Sequence, residues 1–537
     1  MRTGLFILTL GAIVALPPCI SAQGFTRRVN VNSLGALGDR GSSDVRISAD
    51  GSCAVFSSDA LNLDGAPSGF GDVYLHDLLL HRTERVSLTD GGGLANKLSE
   101  LPRVSGDGQR VAFVTYADNL VAGDTNSARD VYLRDRAAGS TQRISLSTSG
   151  EQSNNDSYVA GLSADGRYVL FSTRSAKMHP DGNTRNHFYL RDTLNGTTTR
   201  TTETSLGAAA NQDCRHGFLS AQADWVVFST ISTNLPGGAG NSRDDVYIRN
   251  LNTGVTEWIS STSTGGEPNS HCRYPSVSAD GRWVVFQSAA TNLVPGDTNG
   301  VSDIFLRDRQ TGSITRISQR WDGSEAAREC LSPRISEDGN TIVYQTTDPS
   351  IVPGDNNNAG DVFAYSRVTG LTQNVNLGSG GVFGNDSASD ASISADGNRI
   401  AFASCSSNLI GGTTMLNGGL FVHTRTPVTS DPIQLTGPTQ AASGDSVSFY
   451  WSNGTPFATE WFSYSLSNAG RNQYGHNFDL GLPVQVLFQS TLDANGGDLI
   501  DAVIPAVAAG RTFYLEVVAY DGITIQDSNL RSLQILP

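Results

Sequence analysis

Short apolar runs closed off by Asp, Gly, Asn and Ser recur along this chain from Phe25 to His423. One stretch shows the pattern. Val277-Ser278 ends a short strand, and Ala279-Asp280-Gly281 is a tight turn whose glycine can take positive φ. Trp283-Val284-Val285-Phe286 packs β-branched and aromatic residues into a run that suits a buried strand. A polar loop, Pro295-Gly296-Asp297-Thr298-Asn299-Gly300, leads to a third strand at Asp303-Ile304-Phe305-Leu306-Arg307-Asp308. Gln310-Thr311-Gly312 turns the chain into a fourth, Ile314-Thr315-Arg316-Ile317-Ser318. Four antiparallel strands in one such unit predict a propeller blade.

The unit returns every 57–58 residues, seven times. Its turn reads Ser48-Ala49-Asp50-Gly51, Ser105-Gly106-Asp107-Gly108, Ser163-Ala164-Asp165-Gly166, then Ser220-Ala221-Gln222-Ala223. The last three copies are Ser278-Ala279-Asp280-Gly281, Ser336-Glu337-Asp338-Gly339 and Ser394-Ala395-Asp396-Gly397. A fixed period of this length means stacked or radial copies of one supersecondary unit. Phe56, Phe113, Phe171, Phe228 and Phe286 share one repeat position and are expected in the core between blades.

The fourth strand indicates how the ring closes. Thr83 to Ser87 in the first unit matches Thr141 to Ser145 in the second, and one period before Thr83 lies Phe25-Thr26-Arg27-Arg28-Val29-Asn30, with the same pattern. This orphan strand is expected to complete the seventh blade and remove the open edge. The competing arrangement gives blade seven its own strand near Asp431 to Leu435.

The expected fold class is therefore all-β: a seven-bladed propeller of about 58 residues per blade over residues 23–426, a linker at 427–432, and a small β-sandwich over 433–537. The sandwich, immunoglobulin- or fibronectin-like, rests on alternating segments such as Ser446–Trp451, Glu460–Leu466 and Thr512–Ala519. Residues 1–22 read as a secretory signal: Arg2, an apolar core from Leu5 to Leu16, and a small-residue cleavage site at Ser21-Ala22. Export to the periplasm, surface or medium follows, with no membrane span in the mature chain.

The blade pattern, with its Ser-Ala-Asp-Gly turn, Asn292-Leu293-Val294-Pro295-Gly296-Asp297-Thr298-Asn299 loop and Asp303-Ile304-Phe305-Leu306-Arg307-Asp308 strand, resembles the TolB-like, WD40-like propeller repeat of bacterial exported proteins. The resemblance covers residues 25 to about 425, and blade four departs from it at Gln222 and Ala223, where the other copies have the Asp-Gly of the tight turn. It implies a binding scaffold more readily than any one activity, although the same fold also hosts hydrolases and lyases.

Composition narrows the partners. The 537 residues carry a net charge of −15 with only two lysines, Lys97 and Lys177, and no clustered arginines in sequence. Nucleic-acid binding needs a basic patch and is not expected. No GxSxG, HExxH or phosphate-loop motif occurs.

Two constellations could carry chemistry. Asp124, Asn126 and Asp130 recur as Asp297, Asn299 and Asp303, and as Asp355, Asn357 and Asp361. Oxygen ligands on a short loop suit calcium, while Asp and Asn also cap turns through their own backbone. The second is Cys214, Cys272 and Cys330, at one equivalent position of three consecutive blades, with His216 and His271 nearby. Convergence on the channel would suit zinc or copper; a disulfide between two neighbours and buried thiols as apolar filler are the alternatives. The leading functional reading is a non-enzymatic exported scaffold that offers its loop face to a protein or glycan. The rival is a propeller enzyme, a polysaccharide lyase, glycosidase or peptidase, working with carboxylates or a metal at the channel mouth.

Overall fold

The computed structural model describes residues 24–425 apart from 67, 238–240, 379–380 and 411–417, together with strand pairing between 433 and 534. The signal segment 1–22 and the linker 427–432 lie outside the described residues.

Residues Gly24–Arg425 form one compact unit of seven four-stranded antiparallel sheets. Each blade runs outward in chain order, as Ser42–Ile47, Cys53–Ser58, Asp72–Asp77 and Arg82–Arg85 do in blade one. The first strands of neighbouring blades touch all the way round and so line the central channel. Blade seven takes its outer strand from the start of the chain: Phe25–Arg28 pairs with Gly419–Thr424, Phe25 opposite Thr424 and Arg28 opposite Phe421. Val29 N donates to Leu420 O at 2.8 Å and extends the seam. Ile433–Leu435, the competing candidate, pairs instead with Asp498–Ile504.

Two devices hold each blade in register. In the inner turn, Ser48 Oγ donates to Asp50 Oδ1 at 2.6 Å and Gly51 adopts φ 72°. Blade four keeps this turn without glycine: Ala223 takes φ 58°, and its N–H still donates to Ser220 O at 2.9 Å. A non-glycine residue there carries left-handed strain that the surrounding ladder holds in place. At the outer edge the aspartate that opens the third strand accepts from a fourth-strand hydroxyl, as from Ser87 to Asp72 at 2.7 Å and from Ser318 to Asp303 at 2.6 Å. Those aspartates are buried and structural. Between blades each second-strand aromatic pairs with a third-strand one, Phe56 with Tyr74 at 6.0 Å and Phe402 with Phe421 at 5.6 Å. The five repeat-position phenylalanines are fully buried.

The second unit contains two four-stranded antiparallel sheets, one built on Gln485–Leu492 beside Asp498–Ile504, the other on Ser446–Ser452 between Thr459–Ser465 and Thr512–Val518. No helix among the described residues is long and apolar enough to cross a membrane.

Candidate functional site

Every innermost strand carries a one-residue bulge. In six blades the residue within it is left-handed: Asp44, Leu101, His216, Tyr274, Ser332 and Asp390, with φ between 52° and 56°. In blade three the register shift falls between Val159 and Gly161. A bulge bends its strand and re-aims the side chains that follow. Two residues on, blades one, two and six have Arg46, Arg103 and Arg334, while blades three, four, five and seven have Gly161, Phe218, Ser276 and Ser392. Inner strands of all seven blades line one cavity of about 550 Å³ along the channel, and Arg46, Arg103 and Arg334 face it, with Arg215 also in its lining. Gly161 is needed here by close approach, since a Cβ would come within 2.7 Å of the Leu219 Cβ.

The three guanidinium groups are unevenly satisfied. Each donates to the carbonyl just before it: Arg46 to Val45 O at 2.6 Å, Arg103 to Pro102 O at 2.8 Å, Arg334 to Pro333 O at 2.9 Å. Arg46 also pairs with Asp390 at 2.8 Å. Among the described residues neither Arg103 nor Arg334 pairs with a carboxylate. Burial first, and then the charges of Arg46 and Arg334, pull Arg103 down to about 9. Burial and Arg46 lower Arg334 to about 10. The far wall is apolar and aromatic: the Arg334 guanidinium lies 6.0 Å from the Phe218 ring, and the His216 and Tyr274 rings are 4.0 Å apart. His216 Nδ1 lies 2.8 Å from Ser229 Oγ, and burial lowers its imidazole to about 4, so it is neutral at physiological pH. Glu337 is the one carboxylic acid among the lining residues, and burial raises its pKa. The cavity is thus a cationic hollow inside an acidic protein, fitted to receive an anionic group.

The cysteine triplet does not meet at the channel. Cys214, Cys272 and Cys330 are each the first residue of an innermost strand, are fully buried, and fall into three separate apolar clusters. None lines the cavity. Each Sγ points at a carbonyl two residues back, as Cys214 does toward Gln212 O at 3.8 Å, and burial pushes all three thiols up to about 12. The cysteines are free. Equivalence by repeat put them in one ring, but at that position the side chain enters the core between blades. His271 Nδ1 lies 3.2 Å from buried Asp244, which also pairs with Arg273 at 2.6 Å.

The Asp–Asn–Asp loops join the second strand of a blade to the third, and their last aspartate is fully buried. Asn126 Nδ2 donates to Asp130 Oδ2 at 2.8 Å, and Asn299 Nδ2 to Asp303 Oδ2 at 2.8 Å. A fourth-strand arginine stands among these carboxylates. Arg143 is 3.4 Å from Asp124; Arg316 is 3.2 Å from Asp297, 3.7 Å from Asp303 and 2.5 Å from Glu325. In blades two and five the chain itself supplies the positive charge. Blade six has no such arginine: Asn374 stands opposite Phe363, where Arg316 stands opposite Phe305. No group of three or more His, Cys, Asp or Glu side chains is placed to hold a metal ion among the described residues.

The arginine trio has a sequence signal of its own: an Arg two residues before the Ser of the inner turn in blades one, two and six. The alignment of repeats displays it, but only the bulge shows that this position faces the channel.

No family model matches the chain, and no curated protein matches it. Among solved structures it is similar to a protein described as TolB from Agrobacterium tumefaciens, 18% identical over 52% of this chain and 80% of that one, with a TM-score of 0.33. It is similar to the tricorn protease, 15% identical over 92% of this chain but only 43% of that one, with a TM-score of 0.33. Its likeness to the RRP9 WD40 repeats is 8% identity over 75% of this chain and 98% of that one, with a TM-score of 0.40. These likenesses add nothing beyond the fold that the strand pairing already displays.

Proposed function

We propose that this chain is an exported, non-enzymatic binding propeller that takes an anionic group of a protein or glycan partner into its central channel. The observation that carries the reading is the convergence of Arg46, Arg103 and Arg334 on one cavity, two of them without a carboxylate. Guanidinium groups without a carboxylate, lowered by burial and by neighbouring arginines, are held at a cost, and an anionic ligand would remove that cost. Charge-assisted hydrogen bonds from a planar fork also give orientation to a carboxylate or sulfate. Hydrolysis of a glycosidic bond calls for two carboxyls roughly 5–10 Å apart, and Glu337 is alone among the lining acids. Export rests on the segment from Arg2 to Ala22. Residues 433–537 would serve as an appended β-sandwich that positions the propeller.

The test is calorimetric titration of the mature full-length protein with an acidic peptide and with a uronic-acid oligosaccharide, each against its neutral counterpart. One acidic probe binds, binding weakens with salt, and Arg334→Met lowers affinity about tenfold or more, the worth of one charged hydrogen bond. Equal binding of neutral and acidic probes, or no binding of either, overturns the channel reading. Turnover of a glycan or peptide panel overturns the non-enzymatic one.

A further inference from the structure

One position of the fourth strand supplies a donor to the acids before or at the start of the third strand in blades one to five, but not in blade six. In blade one Arg85 pairs with Asp64 at 2.9 Å and Asp72 at 3.1 Å. Arg143 pairs with the loop Asp124 in blade two, Arg316 with Asp297 and Asp303 in blade five, and Arg200 reaches Asp181 at 2.5 Å in blade three. In blade four the Trp258 indole Nε1 donates to Asp245 at 3.2 Å. Each of these residues stands opposite the central aromatic of its third strand: Tyr74, Tyr132, Tyr189, Tyr247 or Phe305. Asn374 stands opposite Phe363 in the same register. Side chains alternate along a strand, so its Cβ leaves toward the same place as those arginines.

Asparagine is too short to reach what arginine reaches, and in blade six both its own polar atoms and an oxygen of the strand aspartate have nothing to bond. Asn374 is 6% exposed, and neither its Oδ1 nor its Nδ2 has a partner. Asp361 is fully buried; Asn376 Nδ2 satisfies its Oδ1, while its Oδ2 has no partner. Asn357 Nδ2 turns to Gly384 O at 2.5 Å. Burial above all, with the Asp355 carboxyl beside it and against the pull of the Asn376 amide, raises Asp361 to about 7. Asp355 itself is half-exposed in the loop before the third strand, which leaves a path from solvent. Buried polar atoms are satisfied in folded proteins, and a cluster that is not calls for a bound group.

We propose that blade six binds one calcium ion between the Asp355 and Asp361 carboxylates and the Asn374 side-chain oxygen, in the place an arginine guanidinium fills in its sister blades. The oxygen-only donor set, two carboxylates and an amide with room for water and loop carbonyls, is that of a hard cation that takes six to eight oxygens. The dication restores the positive charge that the Arg-to-Asn exchange removed.

The experiment uses the mature full-length protein, stripped with chelator and titrated with calcium chloride by calorimetry, with melting followed with and without calcium. The wild type takes up one calcium per chain and melts higher when loaded. Asn374→Arg, which recreates the arrangement of blades two and five, folds, loses calcium binding by about tenfold or more, and melts independently of chelator. Asp355→Asn, at the half-exposed ligand, weakens calcium binding as well and guards against a misfolded first variant. No calcium uptake by the wild type overturns the proposal. So does full-affinity uptake by both variants, or a melting point that answers to pH but not to calcium, which would mean that the two carboxyls share a proton.

Discussion

Arg103 offers the sharpest test of the channel, because the site reading predicts that its removal helps stability while it harms binding. The guanidinium lies near the charges of Arg46 and Arg334 and donates to one carbonyl, Pro102 O. Its ordinary value is 12.5 and burial with like charges brings it to about 9; converted in full, that is roughly 4–5 kcal/mol held against folding. The side chain still borders the channel and its water, which screens the charge, and Arg103→Met also gives up a charged hydrogen bond. We therefore expect Arg103→Met to stabilise the fold by about 1–2 kcal/mol at neutral pH. The sign has a second signature. With a folded pKa below the unfolded one, the unfolded chain binds more protons between about pH 9 and 12.5, so this group's contribution to stability rises with pH in that window. The difference between wild type and variant should shrink as pH rises through about 9. Urea midpoints at unchanged m-value, read at neutral and alkaline pH with and without an acidic ligand, provide the assay. A variant less stable than wild type that also binds the acidic probe unchanged would refute the reasoning.

Three further outcomes are expected. Arg85→Met strands Asp72, whose side chain is 1% exposed, and should cost about 3 kcal/mol or more by urea denaturation; Lys97→Ala, at an exposed pair with Asp118, should cost about 0.5 kcal/mol or less. In the native mature protein a thiol reagent should label exposed Cys405 at once, and buried Cys53, Cys214, Cys272 and Cys330 only after unfolding, read by mass spectrometry with and without urea. Burial lowers His76, His187 and His216 to about 4 and His423 to about 3, so the unfolded chain binds more protons below about pH 6.5 and these groups remove stability as pH falls toward 4. Asp297, raised to about 6, acts in the opposite sense over the same range. The four histidines outweigh it, and His187→Gln should flatten the slope of urea midpoint against pH.

The repeat made most of the fold legible. Blade number, the four strands of each blade and the donation of Phe25–Arg28 to blade seven all follow from a period near 58 residues, because a strand that recurs in one register occupies one place in a radial array. Blade four was the exception in sequence and not in structure, since Ala223 accepts the left-handed turn that glycine takes elsewhere. What the period could not convey is which way a position points. Cys214, Cys272 and Cys330 are equivalent and still do not meet, because the first residue of the inner strand enters the core between blades. Arg46, Arg103 and Arg334 are scattered over 289 positions of sequence and gather on one cavity, because a bulge two residues earlier turns them to the channel. The Asp–Asn–Asp loops read alike in three blades, yet a fourth-strand residue, Arg143, Arg316 or Asn374, decides which of them has its charge already met. Hydrophobic periodicity and turn chemistry are local, so the chain alone determined its elements and their number. Charge balance, burial and convergence depend on residues brought together from different blades, and only the closed ring decided them.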